Sequence, residues 1–142
     1  MTGTFLPTLL TGLAGASSLF LVASGLTILF GVTRIVNFSH GSLTMLGAYI
    51  GWSILTRLPR DPEWFVLGVL LTALATALIG VALELAVMRR VYRAPELFQL
   101  LATFGVVLIL QDATLWLWGP AELSLPRPRW MRGFVEIAGS RF

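Results

Sequence analysis

The side chains of this sequence that could do chemistry are few and far apart. There is one histidine, His40, and no cysteine, so neither a thiolate nor a second imidazole is present to complete a metal site. Glu84 and Asp112 lie in separate apolar stretches, and no stretch holds a pair of carboxylates for acid–base catalysis. The sequence also lacks the GxxxxGK[ST] motif of nucleotide-hydrolysing loops. We therefore expect no enzyme, no catalytic residue, no metal and no cofactor.

The densest run of uncharged polar side chains interrupts the apolar sequence of residues 31–51, GVTRIVNFSHGSLTMLGAYIG. Two interpretations stay open. A polar turn joins two helices at the membrane surface, with Asn37 or Ser39 as the helix cap and His40 as a hydrogen-bonded structural group. Alternatively, the helix is broken inside the membrane, where free backbone groups need protein or a water-filled cavity beside them. The candidates for this helix break or translocation path are Asn37, Ser39, His40, Gly41 and Ser42.

Gln111 and Asp112 are polar residues inside the last long apolar stretch. Asp112 is about six residues from the end of that stretch, which places it on the order of 10 Å below the membrane surface. An ionisable group at that depth either stays protonated or paired with another helix, or it serves a function. Glu84 lies closer to a group of arginines, and an ion pair with Arg89 or Arg90 is the simpler expectation.

Four long apolar segments must position these side chains. Of the 142 residues, 56% are hydrophobic and 12% are charged, against about a quarter charged in soluble domains. Each segment reaches or approaches the roughly 20 residues that a helix needs to cross a bilayer, and the first is too long for a cleaved signal peptide. We predict an all-α fold, a polytopic transmembrane helix bundle of about four membrane segments, whose second helix is either intact or broken. The predicted helices cover residues 7–30, 39–55, 64–88 and 97–118.

Small residues predict how the second and third segments pack. In the third segment they recur at steps of four, which places them in one row along a helix. In the second segment they form a GxxxG pair, a weaker signal. Such residues let neighbouring helices approach closely in lipid. The predicted packing residues are Gly68, Thr72, Thr76, Gly80, Gly47 and Gly51.

The net charge of +3 comes from ten arginines and no lysine. The arginines flank apolar segments, as membrane proteins keep them, and they indicate no nucleic-acid partner. Arg89, Arg90 and Arg93 form the densest internal group, which we predict to be a cytoplasmic basic loop. Alternation then puts the polar C-terminal region outside, although its own four arginines oppose this. We predict a transmembrane segment over residues 1–120 and a polar connecting tail over 121–142, the start of an extramembrane loop.

Two long runs resemble a known family. Residues 25–51, GLTILFGVTRIVNFSHGSLTMLGAYIG, and residues 89–120, RRVYRAPELFQLLATFGVVLILQDATLWLWGP, are similar to the permease subunits of branched-chain amino-acid ABC transporters. They occur in the same order and at compatible spacing. The ending SLPRPRWMRGFVEIAGSRF resembles the periplasmic connection that follows in those subunits. The resemblance implies a multi-pass protein of the cell inner (plasma) membrane.

The resemblance also implies a function and partners. Family members lie in the lipid bilayer, pair with a second permease subunit, receive substrate from a periplasmic substrate-binding protein and are driven by cytoplasmic ATPase subunits. The implied function is a permease subunit for branched-chain amino acids or related small polar metabolites, which forms part of the translocation path by alternating access. Two departures stand out, since relatives are about twice as long and often carry an amide where this chain has Asp112. The alternative is a truncated fragment without function or a small membrane scaffold protein.

Overall fold

The fold is a bundle of helices, as predicted. The computed structural model describes residues 5–33, 37–125, 136–137 and 140–141. A π-helical turn at Glu84–Met88 and the short helix α4 continue α3 without interruption, and these three elements are here called the α3–α4 rod. The helices are α1 (Phe5–Thr33), α2 (Ser39–Leu55), α3 (Pro62–Leu83), α4 (Arg89–Val91) and α5 (Glu96–Trp118).

The observed helices agree with the four predicted segments to within three residues at every end. Three of them, α1, the α3–α4 rod and α5, are long and apolar enough to cross a membrane. Helix α2 has 17 residues, a length of about 25 Å, which is the short limit for a spanning helix. It is continuous from its first residue to its last, so any break lies before it and not within it.

One region differs from the prediction, and others lie outside the residues that the structure describes. In the predicted tail, β1 (Glu136–Ile137) and β2 (Ser140–Arg141) form a short antiparallel pair that the composition did not predict. Residues 34–36, which join α1 to α2, and residues 126–135, 138–139 and 142 of the tail lie outside the described residues. The division into a membrane segment and a connecting tail therefore stays a prediction.

Helix ends follow from backbone chemistry. Pro62 occupies the first turn of α3, where a missing N–H costs nothing. Pro95 precedes α5 with an extended backbone. Gly119 ends α5 with φ of 75°, in the left-handed region that glycine adopts without strain, and its N–H donates to the Leu115 carbonyl at 2.8 Å.

Helices α2 and α3 pack through facing rows of small residues. A Cβ atom added to Gly47 would lie 3.3 Å from Thr76 Oγ1, and one added to Gly51 would lie 3.3 Å from Thr72 Cγ2. Both threonine hydroxyls donate to carbonyls of their own helix, at 2.7 and 2.8 Å, so they need no partner on α2. Gly68 is also buried, at the other end of this contact, where an added Cβ would collide with leucine side chains.

Helix α5 lies on the other side of α2 and runs in the same direction. The Trp118 indole Nε1 donates to Ser53 Oγ at 2.7 Å, and its ring packs against Tyr49 with ring centroids 5.5 Å apart. Between the helices, an apolar core is buried among α2, α5 and the π-helical turn. Its central residues are Leu46, Met88, Val106 and Leu110.

Helix α1 stands outside this core. None of the described side chains of α1 is buried, and it touches the bundle at the start of α2. Large apolar side chains are also exposed along α3 and α5. A surface of this kind suits lipid, and it accounts for the multi-pass membrane character of the chain.

Candidate functional site

A cavity of about 340 Å³ lies at the first turn of α2, and it is here called the α2 recess. Its polar lining brings together three of the predicted path residues, Asn37, Ser39 and His40, and adds Glu84 from the π-helical turn. The rest of the wall is mostly apolar. It comes from Leu29 of α1, Leu43 of α2, Ala77, Gly80, Val81 and Leu83 of α3, and Met88 of the π-helical turn.

The start of α2 contacts the side of α1, well before that helix ends. His40 Nε2 lies 3.3 Å from the Val22 carbonyl, and the same ring lies beside Gly25. Helix α1 continues from Gly25 to Thr33, a further eight residues or about 12 Å. The α2 N-terminus therefore meets the flank of α1 and not its end.

The other two neighbours of α2 also extend beyond its start. Because Gly47 faces Thr76 and Gly51 faces Thr72, the same antiparallel register puts Ser39 level with Glu84. The α3–α4 rod ends only at Val91, about 10 Å further along its axis. Helices α5 and α2 meet where Trp118 bonds Ser53. Helix α5 starts 22 residues before this contact and α2 starts 14 residues before it. The start of α5 therefore lies about 12 Å beyond the start of α2. The first turn of α2 thus lies within the layer that its neighbours span.

Asn37 organises this first turn. Its side-chain Oδ1 accepts hydrogen bonds from the Ser39 N–H at 2.9 Å and from Ser39 Oγ at 2.5 Å. Ser39 and Ser42 are buried, whereas Gly41 is exposed and an added Cβ there would meet nothing within 4 Å. The side chain of Asn37 therefore satisfies one free N–H of the helix start, and the positive end of the α2 dipole lies at the recess.

His40 links the recess to α1. A carbonyl oxygen can only accept, so the contact with the Val22 carbonyl requires the proton on Nε2. The Thr44 hydroxyl bonds the His40 carbonyl at 3.0 Å. Within the described part of the chain, no three residues of metal-binding type lie close enough together to hold an ion. The imidazole is thus placed as a hydrogen-bonding group of the recess wall.

Glu84 has a partner that the sequence did not indicate. The Tyr92 hydroxyl bonds both carboxylate oxygens of Glu84 at 2.5 Å, across the π-helical turn. The expected ion pair with Arg89 or Arg90 is replaced by this contact. Burial, followed by the hydrogen bond and the negative charge of Glu84, raises the pKa of Tyr92 to about 12. The phenol therefore stays a hydrogen-bond donor throughout the physiological pH range.

The raised pKa of Tyr92 gives a testable prediction. The chain has two tyrosines, so Tyr49→Phe leaves Tyr92 as the sole phenol. We expect its phenolate absorbance to appear with a midpoint near pH 12, against about 10 for a free tyrosine. Because the folded-state pKa is the higher one, the stabilisation by this contact is complete below about pH 10 and is lost as the pH rises towards 12.

A second substitution supplies the control for this titration. Adding Glu84→Gln to Tyr49→Phe removes the negative charge, so we expect the pKa of Tyr92 to fall, while burial, the larger cause, keeps it above the ordinary value. An unchanged midpoint after Glu84→Gln would contradict the contact between Tyr92 and Glu84.

The remaining predicted residues lie elsewhere. Gln111 and Asp112 are exposed on α5, away from its buried row, and the structure does not bring them to the recess. Gly80 differs from the other small residues of its row, since an added Cβ would meet nothing within 4 Å and the residue lines the recess instead. The three basic-loop residues, Arg89, Arg90 and Arg93, are exposed around the end of the α3–α4 rod.

A second cavity of about 380 Å³ lies at the opposite end of α2. It is formed by Ala48, Tyr49 and Trp52 together with the chain that follows α5, residues 122–125. The sequence analysis did not pair any helices at this end. No spacing rule connects Ser53 to Trp118 across 65 residues, so only the folded chain reveals this contact.

Comparison with known proteins agrees with the resemblance noted in the sequence. The profile of the family described as branched-chain amino acid transport system, permease component, matches residues 8–137. The high-affinity branched-chain amino acid transport system permease proteins LivH of Salmonella typhimurium and of Escherichia coli are each 26% identical over 140 residues. The protein BraD of Pseudomonas aeruginosa, described in the same words, is 28% identical over 127 residues.

These relatives are longer proteins. The match covers 93% of this chain but 46% of either LivH protein, and 86% of this chain but 41% of BraD. The chain therefore spans a little less than half the length of the curated relatives it matches. No solved structure shows significant similarity to it.

Proposed function

Because this chain belongs to the family of branched-chain amino acid transport permease components, a family of transport proteins and not of enzymes, we propose that it is a permease segment of an ABC importer in the cell inner membrane. Its cargo is a branched-chain amino acid. The permease segment works with a second permease subunit, cytoplasmic ATPase subunits and a periplasmic substrate-binding protein. The α2 recess forms part of its translocation path.

The observation that carries this proposal is the depth of the α2 recess. Two neighbouring helices, the α3–α4 rod and α5, extend about 10–12 Å beyond the first turn of α2. A helix start and its polar side chains are tolerated at that depth only where they face protein or water. Transporters place such interrupted helices at their substrate sites. A chain that served only as a scaffold has no need of a polar recess there.

The arrangement supports a simple form of alternating access. The recess lies at the same end of the bundle as the basic loop, so it opens towards the cytoplasm in the predicted orientation. Helix α1 contacts the bundle at His40 and carries Leu29 of the recess wall, and none of its described side chains belongs to the buried apolar core. Movement of α1 relative to α2 would open or close the wall that carries Leu29 without disturbing the α2–α3 contact.

Uptake in the source cell tests this function. We expect deletion of the gene to reduce uptake of radiolabelled L-leucine at least about tenfold at low external concentration, where a high-affinity system dominates, and plasmid-borne expression to restore it. Uptake of L-lysine serves as the control and should not change. A tagged chain should co-purify with ATPase and second permease subunits.

The alternative, a fragment or scaffold, gives different results. Leucine uptake would then be the same with and without the gene, and the tagged chain would bring down no ATPase subunit. Both outcomes together would remove the permease proposal.

A further inference from the structure

We propose that the α2 recess is itself an amino-acid subsite, in which Glu84 binds the ammonium group, the first turn of α2 receives the carboxylate, and the apolar wall holds an aliphatic side chain. This inference rests on the proposed function and deepens it. It assigns recognition of cargo to the membrane segment as well as to the binding protein. It also assigns Tyr92 the role of competing partner for Glu84.

The size and lining of the recess fit such a ligand. Its volume of about 340 Å³ lies at the small end of the range for small-molecule sites, about 300–1,000 Å³. Its lining combines a carboxylate and a helix start with the apolar side chains of Leu29, Leu43 and Val81. A branched-chain amino acid likewise combines a zwitterionic end with an apolar end.

The charges of the recess are complementary to a zwitterion. Glu84 is the anionic side chain of the wall, and it lies in a membrane-spanning helix, where an ionisable group is costly unless it has a use. The α2 N-terminus supplies partial positive charge for the carboxylate. The register of α2 and α3 puts Ser39 level with Glu84, so the two ends of the zwitterion have separate partners across one cavity.

Tyr92 binds the carboxylate that the ammonium would need. Its hydroxyl occupies both oxygens of Glu84 at 2.5 Å, so an incoming ammonium must displace or share this bond. The carboxylate makes either bond charge-assisted, but an ammonium adds the attraction of a full opposite charge, which a neutral hydroxyl lacks. The exchange therefore favours the ligand, and removal of the phenol should favour it further.

Because the sequence has no cysteine, one substitution is enough to introduce a single thiol as a reporter. Ala77 lines the α2 recess, and Ala77→Cys gives a chain with a single thiol there. Ala48→Cys places the matched thiol in the cavity at the opposite end of α2. The full chain is labelled with a maleimide in membrane vesicles, with and without ligand, and is then isolated through an affinity tag.

The expected protection pattern follows from the charges. L-leucine should slow the labelling of Ala77→Cys but not of Ala48→Cys. Its desamino analogue, 4-methylpentanoate, should protect much more weakly. Adding Glu84→Gln should raise the half-protecting concentration of L-leucine at least about tenfold, because a bond to a charged partner is lost, and should leave protection by 4-methylpentanoate unchanged. That second result also shows that the recess is still folded.

Tyr92→Phe tests whether the phenol competes with the ligand for Glu84 or only stabilises the fold. If the phenol competes for Glu84, its removal lowers the half-protecting concentration of L-leucine severalfold. A rise in that concentration would overturn the competing role. Equal protection by L-leucine and 4-methylpentanoate, or undiminished L-leucine protection after Glu84→Gln, would overturn the subsite.

Failure of the subsite is distinguishable from failure of the permease function. If gene deletion abolishes leucine uptake while Glu84→Gln leaves L-leucine protection intact, the chain is a permease without this subsite. If gene deletion leaves uptake unchanged, the permease function fails whatever the labelling shows.

Discussion

Gly51→Leu is expected to destabilise the chain by about 1–3 kcal/mol, the cost of overpacking a closed contact. A Cβ atom at Gly51 already lies 3.3 Å from Thr72 Cγ2, and a leucine adds three more carbons in the same direction. Threonine is branched at Cβ and has little freedom to move aside. Because helices in lipid associate mainly through close packing, α2 must separate from α3 or tilt.

Unfolding in SDS from mild detergent micelles measures this effect. Gly15→Leu on α1 is the matched control, since an added Cβ there meets nothing within 4 Å and both substitutions raise helix propensity equally. We expect a lower midpoint for Gly51→Leu only. Adding Thr72→Ala should recover part of the loss, because it removes the atoms that clash. Equal midpoints for the two leucine variants would mean that α2 and α3 do not meet at this position.

Gly80→Trp is expected to abolish leucine uptake while leaving the helices packed. Gly80 lines the α2 recess, and an added Cβ there meets nothing within 4 Å. The new side chain therefore starts in open space, and we expect the indole to extend into the recess. A barrier raised by about 1.4 kcal/mol already slows transport about tenfold, and a filled recess should cost more.

Two controls accompany this substitution. Gly80→Ala adds a single carbon to open space, so uptake should stay near that of the parent chain. Gly12→Trp places the same indole on α1, again with nothing within 4 Å of the new Cβ, and should leave uptake unchanged. Normal uptake by Gly80→Trp, with normal amounts of the chain in the membrane, would show that cargo does not pass through the recess.

The helices of this chain were predictable from the sequence because each depends on local composition. A stretch without charge and of sufficient length must hydrogen-bond its own backbone in lipid, and the proline-rich and arginine-rich connections mark where the stretches end. Helix α2 was predicted as residues 39–55 and observed as Ser39–Leu55. The match of the family profile likewise supports the resemblance on which the function was first inferred.

The candidate site was predictable only in part. The polar run before α2 drew attention to Asn37, Ser39 and His40, which do line the recess. A helical repeat shows which residues share a face, but it does not show how far one helix extends past another. The role of Gly80 depends on that offset, and so does the meeting of Glu84 with the start of α2. The sequence did not indicate a role for Tyr92, because a lone tyrosine between Arg90 and Arg93 is typical of an ordinary residue at the membrane surface.

The π-helical turn at Glu84–Met88 gives the rod a rotational offset. Residues eight apart in an uninterrupted α-helix point about 80° away from each other, since each residue turns by about 100°. A π-helical turn holds roughly one residue more per turn, which brings Tyr92 back to within about 20° of Glu84. Loss of a single residue from this turn would swing the arginines of the loop by about 100° around the rod axis relative to α3. The number of residues in the rod therefore sets the direction in which its positive charge faces.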